Sequence, residues 1–326
     1  MVFSNQTQHM SLKIKKNISL SGFTSFKIGG PAKYFVEVRV KEDLKEAYNW
    51  GEKHREKIFI LGGGTNLLFL DSGFNGLVIK ISFSDFIFPE VDYEYGKKYA
   101  IRIGSGVSMF FLARETVKKG LKGLEWAGGL PGTLGGAISG NAGAFRFDMA
   151  QVVKSVEIFQ GGNFRTISKE ECVFAYRASL FRSILSNAVI ISAELEMEAG
   201  NKEEAKKEME GYLKHRMKSQ PLQPSAGCVF KNFLFEKEEN LNPRLKEALI
   251  DNFRQYKKAP AAWLIENSGL KGAKIGDAII SNEHCNFIVN TKQATAKDVL
   301  ALIKKVKEEV YQKFGVDLKE EVQIVK

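Results

Sequence analysis

The chain has 326 residues, with 48 lysines and arginines against 38 acidic residues (a formal charge of +10), 44% hydrophobic and 26% charged. That length exceeds one ordinary core, so two or three domains are expected, and the balance is that of a soluble globular protein and not a disordered or fibrous one. Cys172, Cys228 and Cys285 stand far apart without metal-ligand spacing, which argues against a disulfide scaffold or a metal site and for a reducing, cytoplasmic compartment. No apolar run is long enough to span a bilayer, and residues 1–22 lack the apolar centre of a signal peptide. The basic residues are spread along the chain and not interleaved with aromatics. Polyanionic ligands therefore explain the charge as well as nucleic acid would.

Residues 1–22 read as a polar, mobile lead-in. Residues 33–39 (KYFVEVR) alternate as a strand, and residues 41–54 have helical spacing with Leu44, Ala47 and Tyr48 inward. A short apolar strand, residues 57–61 (KIFIL), runs into Gly62, Gly63, Gly64, Thr65, Asn66 and Leu67, and a further strand is expected at residues 77–81. Strands are predicted at residues 98–104, 152–159, 164–167 and 188–197, with a turn at Gly161-Gly162. A helix is predicted over residues 107–119, with Phe110, Leu112, Ala113 and Val117 in its spacing and Gly120 as its stop. Residues 201–218 form a charged helix whose KEEAKKEME run reads as a solvated face. After a polar, proline-containing segment at 236–258, a helix is expected at 261–268. The best-specified helix is 295–315: Thr295 and Asp298 start it, Val299, Ile303, Val306, Val310 and Phe314 form its stripe, and Gly315 closes it.

Two glycine clusters organise this pattern. Residues 123–145 read GLEWAGGLPGTLGGAISGNAGAF, with eight glycines in 23 residues. Such density calls for positive φ angles or close approach of backbone to something large. The strand followed by Gly62-Gly63-Gly64-Thr65-Asn66 suits a tight turn over a phosphate. Neither cluster fits GxGxxG or GxxxxGK[ST], yet two such loops suit a ligand with a central pyrophosphate and a bulky ring.

The segments TSFKIGGPA (24–32), LGGGTNLL (61–68) and 123–145 resemble the flavin-binding half of the UDP-N-acetylenolpyruvoylglucosamine reductases. The resemblance continues through ECVFAYRASLF (171–181), PSAGCVFKN (224–232), LIENSGLKG, IGDAIIS, EHCNFIVN and LKEEVQIV. It thus covers roughly residues 23–325, in order. It implies an α+β protein of three domains: a two-part FAD-binding unit of the vanillyl-alcohol-oxidase type at residues 23–82 and 83–216, and an α+β substrate domain at 217–326. Noncovalent FAD is implied in the crease between the first two, with NADPH as hydride donor and a UDP-sugar as substrate. No nucleic-acid or membrane partner is expected, and the expected state is a monomer. The cofactor-binding residues implied are Gly62, Gly63, Gly64, Thr65, Asn66 and Leu67, with Gly128, Pro131, Gly132, Thr133, Gly135, Gly136, Asn141 and Ala142.

Arg177, Cys228 and Glu321 come over by position as catalytic residues, with Tyr176, Arg177, Lys231 and Asn232 for the substrate. The chemistry explains the types. Adding hydride to an enolpyruvyl ether leaves charge beside a carboxylate, which an arginine fork holds bidentately. A carboxyl then assists, and an X–H group delivers a proton to carbon. Taken singly, such residues are ordinarily a surface ion-pair arginine, a buried thiol and a solvated glutamate. Their joint occurrence in the motif order gives them roles. His284 reads as a packing residue. The sequence departs from the family pattern in Cys228, where serine is commoner, and in Phe233, where proline often stands. With a thiol of ordinary pKa, about 8.5, turnover is expected to fall at alkaline pH. The short interval between Arg177 and Cys228 resembles the type II subclass. An oxygen-using flavin oxidase is the rival enzyme, but such proteins often tether FAD through His or Cys, and neither glycine loop has one. A flavin- or nucleic-acid-binding protein without turnover would leave Arg177, Cys228 and Glu321 unexplained.

Overall fold

The computed structural model describes residues 12–88 and 96–326. Strands β1 (Lys15–Ser19), β2 (Pro31–Val38), β3 (Ile58–Leu61), β4 (Leu67–Phe69) and β5 (Phe74–Ile81), with helix α1 (Lys41–Lys53), build the first part. The sheet order is β1-β2-β5-β3, with β2, β5 and β3 parallel and β1 antiparallel on the edge. α1 crosses between parallel strands and buries Leu44 and Ala47, while Tyr48 is half-buried. Residues 1–11 of the expected mobile lead-in lie outside the described residues, and the remainder is corrected here. Residues 15–19 form the edge strand, and Leu20 behind it is fully buried. Its exposed lysines blunt an edge that would otherwise invite pairing, which also disguises it as a polar tail.

The second part comprises β6 (Phe86–Ile87), β7 (Lys98–Gly104), α2 (Met109–Lys118), β8 (Leu121–Lys122), α3 (Leu134–Ser139), β9 (Gly143–Ala144), β10 (Phe147–Asp148), β11 (Val153–Gln160), β12 (Asn163–Ser168), β13 (Val189–Ala199) and α4 (Lys202–Ser219). Its antiparallel sheet runs β12-β11-β13-β7-β6, with β8 also on β13. Gly161 and Gly162 both have positive φ, as a two-residue hairpin needs. Phe110 departs from the expected inward stripe: it is exposed, and the helix buries Met109, Leu112, Ala113, Thr116 and Val117 instead.

The third part holds β14 (Ser225–Cys228), β15 (Phe233–Leu234), α5 (Pro243–Ala248), α6 (Asp251–Gln255), β16 (Lys258–Ala259), α7 (Ala261–Asn267), β17 (Lys274–Ile275), β18 (Ala278–Ile280), β19 (Phe287–Asn290), α8 (Ala296–Phe314) and β20 (Gln323–Val325). The four-stranded sheet β14-β19-β18-β17 packs on α8, which has the capping box at Thr295 and Asp298 and a left-handed Gly315. The segment at 236–258 holds two short helices, and its Leu241, Leu245 and Leu249, the middle one on α5, enter the same core. β20 does not join this sheet. It returns to pair in parallel with β4, bringing Glu321 beside the first glycine loop.

Candidate active site

All three parts converge on one cavity of about 980 Å³. The first glycine loop follows β3, and its contact with the second explains the glycines. A Cβ on Gly63 would lie 2.7 Å from the Gly132 Cα, and one on Gly64 (φ +66°) would lie 1.9 Å from the Phe23 carbonyl oxygen. Gly132 has φ +102° and faces the Thr65 hydroxyl, so a side chain there is both strained and obstructed. Ser105 Oγ and Thr133 Oγ1, buried in the cavity wall, have no hydrogen-bond partner among the described residues. Buried hydroxyls of this kind are ordinarily satisfied, so the pair fits a wall built to meet a polar ligand. The cradle and these hydroxyls suit the dinucleotide shape of FAD. Gly63→Ala is expected to push the loops apart and weaken FAD retention at least about tenfold, measured by flavin release on dilution.

Three arginines line the same cavity. Arg177 follows Tyr176 in a tight turn closed by reciprocal Ala175–Ala178 backbone hydrogen bonds of 3.0 and 3.1 Å, and it has a left-handed φ of +52°. Its Nε lies 2.9 Å from Glu321 Oε1, close but poorly aligned for a hydrogen bond. Its guanidinium also sits over the Tyr176 ring at 5.6 Å. Arg182 and Arg216 line the same space, each with a buried Nε that has no partner among the described residues, and burial pulls both below the usual guanidinium value. A Cβ on Gly140 would lie 2.7 Å from Arg182 Nη2, so glycine makes room for that side chain. Arg216 stacks over Phe145 at 5.5 Å. Arg216 also donates from Nη2 to the Trp126 carbonyl at 3.4 Å, and two half-buried guanidinium groups with Nε left over suit an anionic ligand.

Cys228 and Glu321 complete this end. Burial pushes the Cys228 thiol up to about 12; Glu321 adds to the rise, and Arg177, a hydrogen bond with Asn286 and Arg216 oppose it. Burial also holds the Glu321 carboxyl above its ordinary range, against the pull of Arg177, Arg182 and Lys231. The thiol is thus a neutral donor, with an arginine-flanked carboxyl nearby.

Most of the expected cofactor residues line the cavity: Gly62 to Leu67, Pro131, Gly132, Thr133, Gly135, Gly136 and Ala142. Gly128 does not; it lets α4 approach, since a Cβ there would meet Met209 Cγ at 2.6 Å. Asn141 also lies outside the lining. Its amide donates to the Ala175 carbonyl and Asp148 and accepts from Ala150 N–H, bracing the turn that carries Arg177. On the substrate side, Tyr176, Lys231 and Asn232 lie outside the lining. Asn232 N–H donates to the Tyr176 hydroxyl at 3.4 Å, and the Asn232 side chain accepts from Ala261 N–H at the start of α7. Arg182 and Arg216 went unnoticed in the sequence. RASLFR held a signal for the first, five residues beyond Arg177, whereas the charge of α4 hid the second.

The fold and the cavity define a flavoprotein oxidoreductase with an added C-terminal substrate domain. Residues 32–163 match the FAD binding domain family, and residues 220–325 match the UDP-N-acetylenolpyruvoylglucosamine reductase, C-terminal domain. The reductase of that name from Anoxybacillus flavithermus is 39% identical over 314 residues, 96% of this chain and 94% of that protein. The one from Clostridium novyi is 37% identical over 316 residues, 96% and 92% of the two chains. The crystal structure of the Thermus caldophilus enzyme superposes with a TM-score of 0.74 at 32% identity, covering 97% of this chain and 100% of that one. This chain belongs to the UDP-N-acetylenolpyruvoylglucosamine reductase family.

Proposed function

We infer that this protein is the FAD-dependent, NADPH-driven reductase that converts UDP-N-acetylglucosamine enolpyruvate to UDP-N-acetylmuramate in peptidoglycan precursor synthesis. The observation that carries this reading is the meeting of two glycine loops with Arg177, Cys228 and Glu321 around one cavity. The glycine loops and the Ser105 and Thr133 hydroxyls would hold FAD. When bound, the flavin supplies hydride transfer from NADPH to the vinyl terminus of the substrate. Every other part of the chemistry falls to the protein.

Arg177 holds the substrate carboxylate and stabilises the charge that develops beside it. Glu321, ion-paired with Arg177, fixes the guanidinium and balances the local positive charge. Cys228 Sγ–H then gives its proton to the carbon next to the carboxylate, and the thiolate regains a proton from solvent. The residue range 217–326 acts as the substrate domain, 23–82 and 83–216 as the flavin unit. Lys231, whose charge reaches Glu321, stays the candidate for the substrate diphosphate. The enzyme works as a cytoplasmic monomer. Among the described residues no helix is long and apolar enough to cross a membrane.

The reading is tested by steady-state turnover. Beyond the one equivalent that reduces the flavin, NADPH should be consumed only when the enolpyruvyl substrate is present, with one lactyl-ether product, two hydrogens heavier, per NADPH. Oxygen-dependent NADPH consumption with no such product would point to an oxidase instead. Acid precipitation should release the flavin into solution, because neither glycine loop carries a tethering residue.

A further inference from the structure

Both backbone groups of Glu321 are claimed by loops from other parts of the molecule. Its N–H donates to the Val229 carbonyl at 2.7 Å, and Val229 directly follows Cys228. Its own carbonyl accepts from the Asn66 side-chain Nδ2 at 3.0 Å. Asn66 holds the strand a second time, because its backbone carbonyl accepts from Gln323 N–H at 3.0 Å. Asn66 is also the last polar residue of the Gly62–Asn66 loop, immediately before β4, whose Leu67 pairs with Gln323. The carboxylate-bearing residue is therefore strung between the proton-donor strand and the first glycine loop. Ser25 makes the parallel link, its N–H to the Gly64 carbonyl and its hydroxyl to the Ser225 carbonyl at 2.7 Å.

The sequence pattern had suggested Asn66 as a contact of the cofactor. We propose instead that Asn66 is a positioning residue for Glu321: its side-chain amide sets the backbone of the carboxylate residue by reference to the glycine loop. The Glu321 side chain branches from the Cα between the two peptide groups that Val229 and Asn66 hold. A small shift there moves the carboxyl relative to Arg177 Nε, only 2.9 Å away. A general effect on folding would not discriminate between the two half-reactions, whereas a shift of Glu321 bears on the substrate alone. The proposal rests on the reading that Glu321 serves substrate reduction.

The test is a double-mutant cycle by anaerobic stopped flow, with all rates taken per bound flavin. Glu321→Gln alone should slow substrate-driven reoxidation; if it does not, the reading of the site and this proposal both fall. Asn66→Ala should slow reoxidation about tenfold. The double variant Asn66→Ala/Glu321→Gln should then be no slower than Glu321→Gln, to within about twofold, because Asn66 acts through Glu321. Losses that multiply in the double variant overturn the proposal alone. So does an Asn66→Ala protein in which NADPH-driven bleaching slows as much as reoxidation, since that marks a cofactor contact. If the alanine variant does not retain flavin, the same cycle is run with Asn66→Asp, which keeps the shape and removes the N–H donor.

Discussion

Cys228→Ala is expected to lower product formation about a thousandfold while leaving NADPH-driven bleaching of the flavin within about threefold of wild type. Cys228→Ser should keep measurable turnover, since a hydroxyl can still deliver a proton from the same place. The thiol's surroundings also fix the pH dependence. An ordinary thiol would ionise near 8.5 and lose its donor role at alkaline pH. Burial, reinforced by Glu321, raises this one to about 12, above which the thiolate would form and below which the proton is present. The alkaline fall expected from the sequence therefore moves out of the working range. The rate constant for substrate reduction should stay flat from about pH 7 to about pH 10, measured by single turnover across that range. A wild-type decline centred near pH 8.5 that vanishes in Cys228→Ser would show that the buried environment does not hold the thiol neutral. Near-normal product from the alanine variant would make Cys228 a packing residue.

Arg177→Lys should slow substrate reduction about a hundredfold, with flavin reduction by NADPH changed by less than about threefold. The planar guanidinium presents Nε to Glu321 while its terminal nitrogens remain for the substrate carboxylate. A lysine ammonium is a single point, and it cannot keep both partners in one plane. The backbone sharpens the effect, because the turn holds residue 177 at φ +52° and leaves little freedom to re-aim a shorter, thinner chain. Stopped-flow measurement of each half-reaction decides the matter. Equal slowing of both would place Arg177 with the flavin or NADPH and contradict its assignment to the substrate.

How much of this could be read from the chain depends on whether the signal is local. Helix α8 was legible to the residue at both ends, because its capping box, its stripe and Gly315 are all contiguous signals. The glycine loops were legible for the same reason, as was their meeting in one site once their order along the chain was recognised. β1 was not. An edge strand of KKNIS carries no alternating apolar face, and its partner β2 lies more than ten residues away. Asn141 and Gly128 lie off the cavity lining, and a glycine-rich run does not reveal which members line a cavity and which meet the neighbouring protein. Arg216 was hidden for the opposite reason. A helix with only Ala205 fully buried looks solvated throughout, and only the contact of its end with the second glycine loop turns one arginine inward. The parallel pairing of β20 with β4, which puts Glu321 beside Asn66, joins residues more than 250 positions apart and leaves no mark on either segment.

The most direct test of the account is an anaerobic titration of the purified protein in two stages. NADPH is added first, and the visible absorbance of the flavin is followed until it bleaches. The enolpyruvyl UDP-sugar is then added without oxygen. The account predicts that the absorbance returns in proportion to substrate added, with one lactyl-ether product formed for each flavin reoxidised. Bleached protein that stays bleached with the UDP-sugar and recovers only when oxygen is admitted would contradict it.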